Sequence, residues 1–239
     1  MRIAIVKMLE YLKLFNIISV LVRLLLAMLF GGIIGLERGR KRRAAGFRTY
    51  MLVCLGAALT MLLSQYLQHM LEIFWTDIPM KIDVSRFSAQ VINGIGFLGA
   101  GTVIVTGRQQ VKGLTTAAGL WASACMGIAI GAGYLECVLF AFALILVVVR
   151  VMPTVENYII DHSKYMNIYM EFKSLDYLGG IINEIKALGI QIYEVEIERG
   201  EDVSRPGAVF VLRLSKRQHH NMLLLAASEI EGVHLVEEI

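Results

Sequence analysis

Charge is scarce in this chain: 18% of its 239 residues are charged and 56% are hydrophobic. Soluble domains carry about 25% charged residues, so the balance excludes an ordinary water-soluble fold and requires surface that faces lipid. Cysteine is scarcer. Cys54, Cys125 and Cys137 are odd in number, lie within apolar runs and show no C-x-x-C spacing. That pattern argues against a disulfide framework or a thiolate metal site and leaves packing as their role. The amphipathic start, MRIAIVKMLEYLKLF, lacks a small-residue cleavage site, so a cleaved signal peptide is not expected. Residues 1–16 read instead as a short surface helix with Lys7 and Lys13 on its wet side. There is no nucleophile–base grouping, no P-loop and no metal-ligand cluster, so neither an enzyme nor a bound cofactor is expected. The basic segment lies beside an apolar run and has no interleaved aromatic except Phe47, which argues against nucleic acid.

The charge that is present divides unevenly. Residues 1–164 carry 16 basic and 8 acidic side chains (+8), and residues 165–239 carry 7 and 12 (−5), which together give the net +3. The shift predicts a transmembrane part over 1–153, a linker over 154–164 and a mildly acidic domain over 165–239. Five spans are predicted in the first part, about 17–36, 49–66, 85–106, 113–130 and 135–151, because a helix needs ~20 apolar residues to cross the hydrocarbon core. Arg38, Arg40, Lys41, Arg42, Arg43 and Arg48 follow the first span, Arg108 and Lys112 the third, and Arg150 closes the fifth. The positive-inside rule therefore places the N-terminus outside and the C-terminal domain in the cytoplasm, with Trp75, Asp77 and Pro79 in an outer loop.

The third span holds the chemistry. Asp83, Arg86, Gln90 and Asn93 are spaced three, four and three residues apart, one polar stripe on a helix. Polar groups at that depth need partners, so the stripe is expected to face the protein interior and to pair within itself or with Arg23 or Glu37. Gly94, Gly96, Gly99 and Gly101 follow, and Gly31 and Gly35 sit in the first span; both sets would let a neighbouring helix approach closely. GIGFLG matches the dinucleotide fingerprint literally, but no strand precedes it and no acid follows until Glu136, so that reading is rejected. Thr115 and Thr116 open the fourth span as caps or as donors to the third.

Beyond Pro153 the periodicity changes. Residues 165–173, 190–198 and 208–215 alternate like half-buried strands, two helical patterns intervene, and GVHLVEEI closes the chain. The order β-α-β-β-α-β is that of a small α+β ferredoxin-like domain.

GLER at the end of the first span, GFRT, D-x-x-R before GIGFLGAGT, and GLTTAAGLW together resemble the MgtC/SapB family of bacterial membrane proteins. The resemblance implies an inner-membrane protein tied to magnesium homeostasis and to low-magnesium or virulence adaptation, with an ACT-like C-terminal domain. Its polar positions would be Arg23, Glu37, Arg38, Arg48, Thr49, Asp83, Arg86, Gln90, Asn93, Thr115 and Thr116. Family members have been labelled magnesium transporters, and some act instead on other membrane proteins, ATP synthase among them. Three roles stay open: a homo-oligomeric regulator of another membrane complex, a magnesium or proton route along the stripe, and an architectural ion-pair network. Glu37 and Asp83 lie near opposite ends of their spans, which leaves room for a transient magnesium site but not for a dedicated cage.

Overall fold

Helix α1, Ile17–Arg40, begins where the Asn16 side chain accepts the Ser19 amide at 2.8 Å and ends with Arg38 and Arg40 in its last turn, where cations suit the carbonyl end of a helix. The computed structural model describes residues 10–41, 43–74, 83–105, 111–198, 206–214 and 220–238. These divide into two units, Met1–Thr154 and Val155–Ile239.

In the first unit, α2 (Phe47–Phe74) returns antiparallel to α1. Glycine sets their spacing: a Cβ on Gly31 would stand 2.7 Å from the Tyr50 carbonyl oxygen, and one on Gly35 2.8 Å from the Phe47 Cα. Backbone packs on backbone there, and dispersion replaces the hydrophobic drive that lipid does not supply. Helix α2 continues eight residues past the expected end of the second span. No glycine or proline breaks 67–74, and Gln68 donates to Glu72 one turn on at 3.0 Å. Trp75, Asp77 and Pro79 lie outside the described residues.

Helix α3, Ser85–Ala100, is shorter than the expected third span. At 1.5 Å per residue its 16 residues extend about 24 Å, and the chain then enters a two-strand hairpin, β1 (Ile104–Val105) with β2 (Val111–Lys112). Gly113 at φ 101° turns the chain into α4, Leu114–Gly131, and its hydrogen-only Cα is required because a Cβ would overlap the Thr102 carbonyl. Helices α5 (Leu135–Arg150) and α6 (Met152–Asp161) complete the series, so the stretch read as a linker is largely helical. Four stretches are long and apolar enough to cross a membrane: Ile17–Arg40, Phe47–Phe74, Leu114–Gly131 and Leu135–Ile160. Helix α3, which falls at the third expected span, does not reach that length, so four such stretches stand where five spans were expected.

The core of this unit is the seam among α1, α2, α4 and α5, with Ala27, Ile34, Tyr50, Cys54, Ala58, Leu120 and Ile130 buried along it. Phe30 of α1 stacks on Phe142 of α5 with ring centroids 4.3 Å apart. Cys54 is buried within this packing and Cys137 is exposed; both are free thiols.

The second unit is a four-stranded antiparallel sheet of β3 (Tyr165–Phe172), β4 (Gln191–Glu198), β5 (Gly207–Arg213) and β6 (Val233–Glu238), in the order β4-β5-β3-β6. That is the arrangement a β-α-β-β-α-β chain takes in ferredoxin-like domains. Helices α7 (Leu178–Ala187) and α8 (His220–Ser228) follow β3 and β5. Ile181, Ile185, Leu223 and Ala227 bury against Met166, Ile168, Met170, Phe172, Phe210 and Leu212, one alternate set of strand positions.

Candidate functional site

The polar residues singled out in the sequence fall at three separate places rather than in one network. At one end of the bundle Arg23, 1% exposed, is held entirely by neutral oxygens. Its Nε and Nη2 donate to the Leu12 carbonyl at 3.1 and 2.6 Å, and Nη1 donates to Gln65 Oε1 at 2.9 Å and to the Gly131 carbonyl at 2.8 Å. The Gly131 carbonyl belongs to the last turn of α4, where the helix dipole is negative, so a helix end supplies what a carboxylate would otherwise supply. Gly133, at φ 81°, lies against the guanidinium. A pairing of the stripe with Arg23, one of those left open, is absent among the described residues. Nearby, the Lys13–Glu136 ion pair at 2.6 Å ties the segment before α1 to the start of α5, and that hydrogen bond raises the Lys13 ammonium above its ordinary pKa.

At the other end, Arg38 is 4% exposed and its Nη2 donates to Thr116 Oγ1 at 3.2 Å. Its Nε has no hydrogen-bond partner among the described residues. Tyr50 donates its hydroxyl to the Thr116 carbonyl at 3.3 Å, and Ser123 donates to the Tyr50 carbonyl at 3.4 Å. These contacts fasten α1, α2 and α4 where the basic residues gather. Glu37 pairs with Lys41 at 3.4 Å, and Lys41 also reaches the Val149 carbonyl near the end of α5 at 3.5 Å. Arg48, Thr49 and Thr115 are exposed at this end and do not join the Arg38 contacts.

The third place is α3. Its buried residues, Ser88, Ile95 and Gly99, lie on one face, and Gly99 meets the Ala117 Cβ of α4. Arg86, Gln90 and Asn93 are exposed, roughly half a turn round the helix from that face, as is Phe97 at 83%. The stripe therefore points away from the rest of the described residues, against the expectation that it would face inward. The packed face is the one that carries 88, 95 and 99: Ser88 donates to Met61 Sδ of α2 at 3.1 Å, and Gly99 meets Ala117 of α4. Nothing lies within 4 Å of a Cβ built on Gly94 or Gly96, and one on Gly101 would meet only the carbonyls of Leu98 and Phe97. Asp83 stands apart from the face. Its Oδ1 accepts the Ser85 hydroxyl at 2.6 Å and the Ser85 amide at 2.9 Å, and these hydrogen bonds hold its carboxyl below the usual carboxylate range. It caps α3 and forms no ion pair with Arg86.

Tyr50, Gln65 and Ser123 were missed. Each is a hydrogen-bonding side chain within an apolar span, a signal that Gln65 gave but that its place beside the expected end of the second span hid.

Residues 24–158 match the MgtC family, more than half of the chain. The chain belongs to the MgtC family. It is 42% identical over 126 residues to the protein MgtC of Salmonella typhimurium, covering 53% of this chain and 49% of that one. It is 39% identical over 131 residues to "Putative magnesium transporter YhiD" of Escherichia coli K12, covering 55% and 59%. The protein SapB of Bacillus subtilis is 28% identical over 218 residues, covering 90% and 93%. The match thus spans about half the length of MgtC and three fifths of YhiD. No solved structure matches the chain. This MgtC-family chain is a multi-pass membrane protein with a small α+β domain at its C-terminal end.

Magnesium needs oxygen ligands in near-octahedral array, typically one or two carboxylates with several waters. In this family member Glu37 is engaged by Lys41 and Asp83 by Ser85, at opposite ends of the bundle. Among the described residues no group of three or more His, Cys, Asp or Glu could hold a metal ion. The described side chains do not fit a resident magnesium ion.

Proposed function

We propose that this chain regulates another complex in the bacterial cytoplasmic membrane and that the outward face of α3 is its contact surface. The observation that carries this is the exposure of Arg86, Gln90 and Asn93 on the side of α3 that packs against none of the described residues. Helix α3 runs beside two spanning helices: Ser64 of α2 donates to the Val84 carbonyl at its start, and Gly99 touches Ala117 of α4 near its end. A polar side chain that faces hydrocarbon is costly, ~2.5–3.5 kcal/mol for an Arg at a helix centre and less near an end, where Arg86 lies, so a polar surface over the stripe is favoured. Open positions at Gly94 and Gly96 let a partner helix come close enough for its own polar groups to reach Gln90 and Asn93. The partner is a membrane protein, with ATP synthase the complex that the family resemblance offers. On this reading the protein serves magnesium homeostasis and low-magnesium adaptation through that partner, and α3 with the hairpin after it makes a fifth crossing, which sets the N-terminus outside and the ACT-like domain in the cytoplasm. It carries out no catalytic step.

A second reading follows from the same stripe: several copies could turn their α3 faces to a common axis and form a cation or proton route. A homo-oligomer is required on this reading, because the stripe of a single chain faces outward. Flux separates the two. Liposomes holding the purified chain alone should pass neither magnesium nor protons, and a double variant, Arg86→Met with Asn93→Leu, should abolish the low-magnesium growth phenotype without loss of folded protein. Flux through the wild-type chain that this variant removes would replace regulation with transport.

A further inference from the structure

A cleft of about 300 Å³ opens between α1 and α5 at the basic end of the bundle. The Phe30–Phe142 stack holds the two helices together, and one turn further along both, Ile33 and Leu146 begin the cleft. Ile33, Leu36, Leu146 and Val147 make its walls apolar, and Glu37, Arg40 and Arg150 stand at its mouth. Leu36 and Val147 are 46% and 45% exposed, so the cleft opens sideways, where lipid would lie.

The charge at the mouth is unbalanced. Lys41 neutralises Glu37 at 3.4 Å, and among the described residues neither Arg40 nor Arg150 makes an ion pair. Two guanidiniums without carboxylates therefore face one cavity. Guanidiniums bind phosphate oxygens in a two-pronged fork, a geometry that an ammonium lacks. A ligand that satisfies both ends of the cleft needs an anionic head and an aliphatic body. We infer that this cleft is a binding site for an anionic phospholipid, with its phosphate between Arg40 and Arg150 and its proximal acyl carbons along Ile33, Leu36, Leu146 and Val147. A free phosphate would leave the apolar walls unfilled, and a zwitterionic head would bring an ammonium to a mouth that is already cationic. Basic pockets between membrane helices take lipid heads in this manner.

The test compares lipid retained by the purified full chain in mild detergent, read by native mass spectrometry after exposure to equal amounts of phosphatidylglycerol and phosphatidylethanolamine. Wild-type protein should retain the anionic lipid. Arg40→Gln with Arg150→Gln should lower that retention on the order of tenfold or more, whereas Arg43→Gln with Arg48→Gln, which removes the same charge from the same end, should leave it within about twofold. Leu146→Trp, which fills the cleft and keeps both arginines, should also release the lipid; this variant decides the matter if the first misfolds. Equal losses in the two charge variants, no preference for the anionic lipid, or displacement by millimolar inorganic phosphate would each overturn the assignment.

Discussion

Replacing Arg23 with methionine tests whether a helix end can stand in for a counter-ion. Methionine keeps much of the volume and removes four hydrogen bonds to three acceptors. The Leu12 carbonyl keeps the Ser19 hydroxyl at 2.5 Å, so two acceptors, Gln65 Oε1 and the Gly131 carbonyl, lose their donor. Orphaned buried acceptors cost roughly 1–3 kcal/mol each, which sets the loss at about 2–6 kcal/mol, and release from burying a charge brings it toward the lower part, about 3 kcal/mol. For a chain of this size that corresponds to a melting point lower by about 6–12 °C, measurable by tryptophan fluorescence in detergent. Arg23→Lys should be no more stable than the methionine variant, since a point ammonium cannot reach Leu12, Gln65 and Gly131 together and stays buried with fewer partners. A lysine variant that melts with the wild type would refute the reasoning, because charge alone would then suffice. A methionine variant that melts with the wild type would refute it from the other side.

Gly31→Leu should cost more than an ordinary overpacking change, above ~3 kcal/mol, because its new Cβ meets the Cys54 Cβ and the backbone of Tyr50 and Met51, none of them the free end of a side chain that can move; the loss of folded protein in gel filtration would show it. The Asp83 cap has a lowered pKa, so its contribution is complete above the unfolded carboxylate value and is lost as pH falls through the folded one. The protection factors of the Ser85 and Arg86 amides, the intrinsic exchange rate at each pH divided by the observed one, should therefore hold from pH 8 to 5 and fall only below about pH 4; a fall already at pH 6 would mean that another group caps α3. A chain ending at residue 161 should still insert and resist alkaline extraction, since the first unit has its own core.

Much of this architecture was legible because lipid imposes strong patterns. Apolar length marked α1, α2, α4 and α5, and period-two alternation marked the sheet, whose order then followed from chain topology. Boundaries were less legible. The end of α2 moved because residues 67–74 contain no breaker, and α3 stopped at Ala100 because the chain turns into the hairpin before Gly113. The orientation of the stripe was not readable at all. Spacing shows that Arg86, Gln90 and Asn93 share a face, but which face α4 takes depends on where Gly99 meets Ala117, a contact between distant segments. Arg23 illustrates the same limit. A buried cation in a span suggests a carboxylate partner, and here carbonyls released at the end of α4 take that place.

The most direct measurement is photocrosslinking in native membranes, with a light-activated residue placed at Asn93 and, separately, at Ser88 on the opposite, packed face of α3. Position 93 should join to one protein of defined mass, whether a second complex or another copy, and position 88 should give only adducts within the chain. Adducts at position 93 with lipid alone would contradict the account, since the polar face would then have no partner to meet.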